Sequence, residues 1–445
     1  MNTMKSRREI LQISSLGVLG LAGCMGKANG NECSNGIKKK KNKYQDRGKS
    51  EGWWPHFGCS ITGDNKNYGA DPNVDTMELA WNTRLSISST SVIRPLIRDD
   101  VVYAGWQSIA GIGKLYALDA KQGEQKWVAE YEGGALLPGS VMKDSIYAGS
   151  PDGIHSFSVE TGDLSWSFRP EGKWRFVGGV NGGDKLYVFG ISRDEIDALY
   201  AVDPETGEIE WEFRSSDISG LFAIQGDSVY TGGGGSIHRI SKADGSEIWS
   251  VPMGHGYKSG QIVANGETVY AIGKSNQAKE EKIFAIDDSC GKMEWSVLSR
   301  GEKSWMGMAA SSKELYVSVQ KESAKNAYGT AEMIALDRKG GSKLWTIKLE
   351  NMKYASVELG NPIIAGGEIY VGGLQRRMNR SDIASVNVIE IDMPEGTPIP
   401  GQAHRKEINK TIEISEDPIY VSPPSIVAGK DTIYTLVGGV ITAIR

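Results

Sequence analysis

The sequence predicts an all-β protein, and three observations lead to that class. Segments such as 114–119 alternate in side-chain character with a period of two, which is the period of a half-buried strand. A glycine turn, here at Gly123, connects each such segment to a second strand that contains a tryptophan, here Trp127. The unit returns at intervals of roughly 40–50 residues with no helical periodicity between copies. Units of this kind predict a β-propeller rather than a helical solenoid.

The repeated unit has the frame Ala-x-Asp-x-x-x-Gly-x-x-x-Trp and follows a strand that contains tyrosine. Two copies keep only glycine and tryptophan (Gly162 with Trp166, Gly245 with Trp249), and a worn copy has Pro400 in the tryptophan position. Four copies keep every anchor and end at Trp127, Trp211, Trp295 and Trp345. The leading strands contain Tyr103, Tyr147, Tyr187, Tyr230, Tyr270, Tyr316, Tyr370 and Tyr434. We therefore predict an eight-bladed β-propeller of four-stranded antiparallel blades; the alternative is a seven-bladed ring with one copy forming a loop.

The two ends of the propeller segment predict how the ring closes. The last copy contains Ala443 but no tryptophan, whereas the segment 77–85 near the start contains Trp81. We expect this N-terminal strand to complete the C-terminal blade, because closure removes exposed sheet edges. Each tryptophan is predicted to pack on the glycine turn of an adjacent blade. The docking residues are Trp81, Trp127, Trp166, Trp211, Trp249, Trp295 and Trp345.

The first residues predict export and lipid anchoring. Ser6-Arg7-Arg8-Glu9 has the twin-arginine pattern, and an apolar run follows over 10–23. That run is shorter than the ~20 residues that span a bilayer. Leu21-Ala22-Gly23-Cys24 has the form of a lipobox, which predicts a signal peptide over 1–23 and lipidation of Cys24. The alternative is an uncleaved signal anchor. We expect the protein to be held by this lipid on the extracytoplasmic face of a membrane.

Two segments separate this anchor from the propeller. Residues 24–52 are polar and contain a lysine run over 38–41, so we interpret them as a flexible tether. Contact of the lysine run with anionic head groups is the alternative. Residues 53–75 begin with Trp53 and are predicted to form a latch on the outside of the propeller, which spans 76–445.

The composition argues against nucleic acid as a partner but does not decide the state of the cysteines or of the glycosylation sequons. The formal net charge of −5 argues against general nucleic-acid binding. A disulfide between Cys33 and Cys59 and free thiols are both compatible with the sequence, which also leaves the state of Cys290 undetermined. Asn379 and Asn409 lie in glycosylation sequons. We expect a monomeric ring.

Aromatic and basic residues recur where each docking strand leads into the innermost strand of the next blade, beside the central channel. Such side chains in a concave mouth are typical of a recognition surface. The predicted channel-mouth residues are Arg94, Trp174, Arg175, Tyr257, Lys258, Trp305, Tyr354 and Tyr420. The alternative is that they pack loop against loop.

No residue pattern predicts a metal site. The histidines have no metal-ligand spacing and are each expected at the surface or in a turn; they are His56, His155, His238, His255 and His404. Gly232–Gly235 is interpreted as a hairpin bend rather than a phosphate-binding loop, since no helix follows it.

The frame Ala-x-Asp-x-x-x-Gly-x-x-x-Trp resembles the PQQ-type propeller repeat shared by quinoprotein alcohol dehydrogenases and the BamB lipoproteins of outer-membrane barrel assembly. The resemblance covers about residues 76–445. The BamB side implies a non-catalytic scaffold that contacts envelope or cell-surface proteins. The dehydrogenase side implies PQQ with calcium and a pair of adjacent cysteines, which this sequence lacks. We therefore assign no catalytic residue, cofactor or metal ligand, and keep a quinoprotein dehydrogenase and a carbohydrate or small-ligand receptor as alternatives.

Overall fold

A computed structural model provides the fold of the chain. The structure describes residues 66–67, 70, 72, 78–87, 94–108, 110–170, 174–181, 184–192, 196–218, 222–254, 257–275, 280–299, 303–321, 330–349, 356–376, 383–391, 408–415 and 425–445. All of them belong to one compact unit, Lys40–Arg445.

The described residues form eight sheets, numbered here in chain order, in which consecutive strands pair antiparallel. Sheet 1 contains Leu96–Arg98, Val101–Gln107, Gly113–Asp119 and Gln125–Tyr131. Sheet 2 contains Leu137–Met142, Ser145–Ser150, Gly153–Ser158 and Leu164–Phe168. Sheet 3 contains Trp174–Asn181, Leu186–Ser192, Asp197–Val202 and Ile209–Ser215. Sheet 4 contains Phe222–Gln225, Ser228–Gly232, Ser236–Ser241 and Glu247–Pro252.

The second half of the chain repeats this arrangement with two departures. Sheet 5 contains Tyr257–Asn265, Thr268–Ser275, Glu280–Asp287 and Met293–Leu298. Sheet 6 contains Lys303–Ala310, Glu314–Lys321, Thr330–Asp337 and Lys343–Leu349. Sheet 7 contains Ser356–Ala365, Glu368–Arg376, Ile383–Ile391 and Ile408–Ser415, together with Lys66–Asn67. Sheet 8 contains Ser425–Ala428, Ile433–Val437, Val440–Ile444 and Leu79–Arg84.

The contacts between sheets arrange them as the blades of a β-propeller. First strands of neighbouring sheets contact each other through most of the series, which places them around the central axis, whereas the fourth strands alternate exposed and buried residues and form the outer edge. The all-β class and the four-stranded antiparallel blade are therefore as predicted. We call the end with the glycine turns the turn end and the opposite end, where each sheet leads to the next, the open end.

Tryptophan docking joins consecutive sheets. Six indoles pack on the glycine of the next sheet's turn, where a Cβ atom would lie only 2.4–3.0 Å from the ring. These glycines have φ between +68° and +78°, a conformation that other residues rarely adopt. The Trp–Gly pairs are Trp81–Gly123, Trp127–Gly162, Trp166–Gly207, Trp211–Gly245, Trp249–Gly291 and Trp295–Gly341. Each of these indoles also donates to a backbone carbonyl of the neighbouring sheet, at 2.8–3.2 Å.

The repeat frame is one row of residues across each sheet. In sheet 1, Tyr103 lies opposite Ala117, which lies opposite Trp127. The ring centroids of Tyr103 and Trp127 are 5.9 Å apart. Seven sheets contain such a pair, at 5.7–6.2 Å, including Tyr316 with Trp345. This row explains why tyrosine, alanine and tryptophan recur in that order.

The N-terminal strand pairs with the C-terminal hairpin, as predicted. Trp81 lies opposite Ala443, which lies opposite Tyr434, so the row is completed by residues from both ends of the propeller segment. The amide of Glu78 donates to the carbonyl of Arg445 at 2.5 Å, and the amide of Arg445 donates back at 2.9 Å. The third and fourth strands of sheet 8 are therefore held together by pairing, whereas in sheets 1 to 6 a glycine turn joins them.

Sheet 7 departs from the prediction of eight four-stranded blades: among the described residues seven sheets have four strands, as predicted, and this one has five. Its row has Glu390 opposite Tyr370 in place of alanine. A tryptophan here would have no glycine turn to dock on, because the third and fourth strands of sheet 8 are not joined by one. The N-terminal segment supplies the contacts instead: Tyr370 donates to the carbonyl of Pro72 at 3.1 Å, and Gly366 donates to that of Ala70 at 2.7 Å.

The described part of the predicted latch lies on the channel side of the sheet, not outside the propeller. Lys66–Asn67 pairs parallel with Ile364 and Ala365, at the turn end of the first strand of sheet 7. The first strand of a blade has an unpaired edge toward the axis, and backbone groups there need partners. An extended segment on the channel side can form hydrogen bonds with these backbone groups, whereas a segment on the outside of the propeller cannot reach them.

Two further features concern the anchor and the cysteines. The described residues contain no helix with the length and apolar character that crossing a membrane requires. Cys290, in the docking turn of sheet 5, is disulfide-bonded, and its partner lies outside the described residues. Cys24, Cys33, Cys59, Asn379 and Asn409 also fall outside the residues or side chains that the structure describes, so their predicted roles stay predictions.

Candidate functional site

The first strands carry irregularities near the open end of the channel. In sheets 3, 5, 6 and 7 the pairing between the first and second strands shifts register. In the first strand, the shift begins about three residues before the position that lies opposite the recurring tyrosine of the repeat. A bulge leaves backbone groups without partners in their own ladder. At this level the chain must therefore supply other partners.

Side-chain amides from the flanking sheets bond to the first strand of sheet 6. Gln261 of sheet 5 accepts from the amide of Met308 at 2.7 Å and donates to its carbonyl at 3.0 Å. From the other side, Asn361 of sheet 7 donates to the carbonyl of Met306 at 3.0 Å in the amide orientation that satisfies both of its ends. These bonds continue hydrogen bonding across three sheets and fix the channel wall there.

Arg94 extends this network from sheet 1. Its guanidinium donates to the side-chain oxygen of Asn361 at 2.8 Å, and the residue is only 4% exposed. Arg94 precedes the first strand of sheet 1, so the contact reaches across sheet 8 to sheet 7. This predicted mouth residue therefore lies in the channel network but is buried.

Trp305 and the residue after it have different surroundings. Trp305 is 4% exposed and fills the space between sheets 5 and 6, where its indole donates to the carbonyl of Glu281 at 3.2 Å and its amide donates to the Glu281 carboxylate at 2.5 Å. Met306 is 39% exposed, although the strand around it is buried. At this bulge it is Met306, a polarizable and adaptable side chain, that is open to a ligand.

For four of the other predicted mouth residues the structure describes only the backbone, and two lie outside the described residues. Trp174 lies opposite Ser192 and Arg175 opposite Ile191, at the open end of sheet 3. Tyr257 lies opposite Ser275 and Lys258 opposite Lys274, at the open end of sheet 5. The side chains of these four predicted residues lie outside the part of the chain that the structure describes, as do Tyr354 and Tyr420 entirely. Of the predicted mouth residues, Arg94 is thus joined to the channel wall, and Trp305 packs against sheet 5.

Two histidines are buried between sheets, contrary to the prediction that each lies at the surface or in a turn. His155 is fully buried in the third strand of sheet 2, and His238 occupies the equivalent position in sheet 4. Nδ1 of His238 is 2.7 Å from a carboxylate oxygen of Glu247. A single strand residue gives no sign of which sheet will cover it, so the sequence did not reveal this burial. His56, His255 and His404 lie outside the described residues.

The hydrogen bonds of His155 define a structural network rather than a nucleophile. Its Nε2 is 2.8 Å from Ser150 Oγ and its Nδ1 is 2.9 Å from Ser167 Oγ. The Ser150 hydroxyl donates to Asp152, so Ser150 must accept from the imidazole and cannot be activated by it. Tyr131 donates to the same carboxylate at 2.6 Å.

Lowering the pH is expected to destabilise the protein through His155. Burial lowers the pKa of His155 to about 4; the Asp152 carboxylate opposes this shift, and the Arg169 guanidinium adds to it. Between pH 6.5 and 4 the unfolded chain therefore binds a proton that the folded chain does not, and stability is lost as the pH falls through this window. The loss is on the order of 3 kcal/mol. Urea unfolding at pH 7 and pH 4.5 measures it.

The matched variant for this titration is His155→Gln, which keeps hydrogen-bonding groups but cannot be protonated. Its stability should change less than that of the unmodified protein between the two pH values. Equal pH dependence in both proteins would contradict the assignment.

A quinone and calcium site of the kind that the family resemblance implies would contain a pair of adjacent cysteines. The four cysteines of the chain are far apart in sequence, so no adjacent pair exists. Among the described residues no three histidine, cysteine or carboxylate side chains are grouped to hold a metal ion. We therefore derive no reaction step through that cofactor.

The repeated rows, docking turns and strand closure define a β-propeller of the PQQ-like repeat class. A sequence profile for the family described as "Outer membrane protein assembly factor BamB" matches residues 73–168 and 195–421. The chain belongs to this family.

Individual relatives are more distant. BamB from Moraxella catarrhalis superposes with a TM-score of 0.55 at 17% identity, over 83% of this chain and 100% of that one. The computationally designed Ika8 protein gives 0.57 at 11% identity, over 81% and 99%. Lupanine 17-hydroxylase [cytochrome c] from Pseudomonas sp is 23% identical over 281 residues, which are 54% of this chain but only 37% of that relative. These structural likenesses establish the fold alone.

Proposed function

We propose that this protein is a non-catalytic scaffold of the cell envelope, a closed eight-bladed propeller that binds other proteins through its open end. In this proposal sheet 7 counts as the eighth blade despite its extra strand. The observation that supports it most is the network of Arg94, Gln261 and Asn361. It holds the channel wall rigid at the level where Met306 is open to solvent. A pre-formed wall lowers the ordering cost of binding a partner.

The proposed location follows from the first residues of the chain. Export by the twin-arginine route and a lipid on Cys24 would hold the propeller on the extracytoplasmic face of a membrane. Membership in a family described as a factor of outer-membrane protein assembly supports envelope proteins as the partners. The predicted mouth residues Trp174, Arg175, Tyr257 and Lys258 belong to the same open end and are proposed to widen the contact surface.

Site-specific photocrosslinking in native membranes tests the proposal. A photoreactive residue at Met306 or Lys321 reports on the open end, and one at Lys121, which is 67% exposed in a docking turn, reports on the turn end. We expect discrete protein adducts from the open-end positions only. Adducts of equal yield from Lys121, or none from either open-end position, would contradict the proposal.

A quinoprotein dehydrogenase is the second candidate, because the curated relative is named as a hydroxylase that uses cytochrome c. The chain has no adjacent cysteine pair, and the described residues contain no group of three histidine, cysteine or carboxylate side chains that could hold a metal ion. Alcohol-dependent dye reduction after addition of PQQ and calcium would favour this candidate over the scaffold.

A further inference from the structure

His238 lies at the open end of the junction between sheets 3 and 4. It belongs to the strand Ser236–Ser241, and its side chain is 8% exposed. Its ring packs near Phe213 in the fourth strand of sheet 3, with the two centroids 5.9 Å apart. The next residue, Arg239, donates to the carbonyl of Asp288 in sheet 5, as expected because successive strand residues point to opposite faces. His238 is therefore directed toward sheet 3.

Carboxylates face both ring nitrogens of His238, and they come from different elements. Glu247, in the fourth strand of sheet 4, has an oxygen 2.7 Å from Nδ1. Asp217, in the connection that leads from sheet 3 to sheet 4, has its Oδ2 3.8 Å from Nε2. The imidazole therefore lies between the outer strand of one sheet and the connection that arrives from its neighbour.

Apolar side chains fill the junction around His238. The cluster between the two sheets contains Phe189, Leu199, Trp211, Ile218 and Ile240. Its titratable member, Tyr187, is in contact with Trp211 and with the ammonium group of Lys242, at 5.7 and 5.9 Å. Among the described residues, Asp217 and Glu247 are the ionised groups that pair with the imidazole.

The two carboxylates determine which protonation state of His238 satisfies its contacts. An ionised carboxylate only accepts hydrogen bonds, so Nδ1 must carry the proton that Glu247 accepts. In a neutral imidazole Nε2 is then an acceptor that faces a second acceptor, Asp217. Nε2 and Asp217 Oδ1 are both inaccessible to solvent and have no hydrogen-bond partner in the described part of the chain. A proton on Nε2 removes this conflict, because it places a donor with positive charge beside the Asp217 carboxylate.

His155 occupies the equivalent position of sheet 2 and has different partners. Its two nitrogens lie 2.8 and 2.9 Å from the hydroxyls of Ser150 and Ser167. A hydroxyl can donate as well as accept, so a neutral imidazole leaves neither nitrogen without a partner. Burial lowers the pKa of His155 to about 4. The two histidines are therefore expected to change the stability of the protein with opposite sign when the pH falls.

We propose that His238 is a pH-sensitive contact that secures the connection into sheet 4 at the open end. The protonated imidazole joins Asp217 of the connection to Glu247 of the outer strand. When the imidazole loses its proton, Asp217 loses its partner and the connection is released. Because protonation favours the paired, folded state, the contact adds stability at low pH and loses it as the pH rises. The inference is independent of the proposed scaffold function.

Asp217→Asn tests the contact, because the asparagine amide can donate a hydrogen bond to a neutral Nε2 but cannot pair with a positive charge. At about pH 5.5 we expect its unfolding equilibrium constant to be about fivefold or more above that of the unmodified protein. At about pH 8.5 the constant should equal that of the unmodified protein or fall below it. Urea unfolding measures both values. The same loss of stability at both pH values would mean that Asp217 has a structural role alone, and would overturn the proposal.

Two control variants separate this contact from other titrating groups. In a His238→Gln background, Asp217→Asn should have the same effect at both pH values, because the titrating partner is absent. Asp100→Asn makes the same charge change at a side chain that is 71% exposed at the turn end, and its effect should not depend on pH. A pH-dependent effect of Asp217→Asn that persists without His238 would contradict the assignment.

Nitrogen NMR of the full chain with labelled histidine observes the proton directly, and His238→Gln identifies the signals. We expect both ring nitrogens of His238 to carry protons at about pH 5.5, and Nε2 to have lost its proton at about pH 8.5. Asp217→Asn should change the pH at which this loss occurs, which a role in packing alone would not do. A His238 ring that keeps one protonation state at both pH values would overturn the proposal.

Discussion

Trp127→Ala is expected to lower the free energy of unfolding by about 3–5 kcal/mol. The indole is 8% exposed, packs on Gly162 of sheet 2 and donates to the carbonyl of Val159 at 2.9 Å. Truncation removes this contact between two blades and leaves the Val159 carbonyl without its donor. Urea unfolding followed by tryptophan fluorescence and circular dichroism measures the loss.

The matched control is Val128→Ala, one residue further along the same strand and 36% exposed. Surface substitutions of this kind change stability by about 0.5 kcal/mol or less. Similar losses in the two variants would mean that the docking contact does not account for the stability of the blade junction.

Deletion of Leu79–Arg84 is expected to remove most of the protein's stability, typically about 5–15 kcal/mol for a folded domain. The deletion exposes the edge of Val440–Ile444 and removes Trp81 from Gly123. It breaks the ring at one position, so every remaining blade loses the constraint of closure. Loss of a cooperative transition in calorimetry, with aggregation through the free edge, is the expected observation.

The control deletion removes Lys38–Lys41 from the predicted tether. It should leave the unfolding transition unchanged, because a polar tether of the kind that the sequence predicts adds little to a packed fold. A normal cooperative transition after loss of Leu79–Arg84 would show that the ring does not depend on this strand.

The sequence was sufficient to predict the features that repeat. The tyrosine, alanine and tryptophan of the frame, such as Tyr103, Ala117 and Trp127, lie in one row across a sheet, so their spacing reports directly on strand pairing. The missing tryptophan after Ala443 and its presence at Trp81 predicted the closing pair for the same reason. Each of these inferences depends on local spacing repeated many times.

Features that occur once could not be predicted in this way. The pairing of Lys66–Asn67 with sheet 7 and the bond from Arg94 to Asn361 join residues that are far apart in sequence and belong to no repeat. His155 gives no sequence sign of burial, because its cover comes from Tyr131 of the preceding sheet.

Hydrogen exchange measured by mass spectrometry tests the closed ring most directly. The amides that form the ladder between Leu79–Arg84 and Val440–Ile444 should be protected and should open together, since they belong to one strand pair. Val440–Ile444 also pairs with Ile433–Val437, so Trp81→Ala should lower the protection of Leu79–Arg84 fully and that of Val440–Ile444 in part. Exchange of all Leu79–Arg84 amides at the rate of an unstructured peptide would contradict the closed propeller.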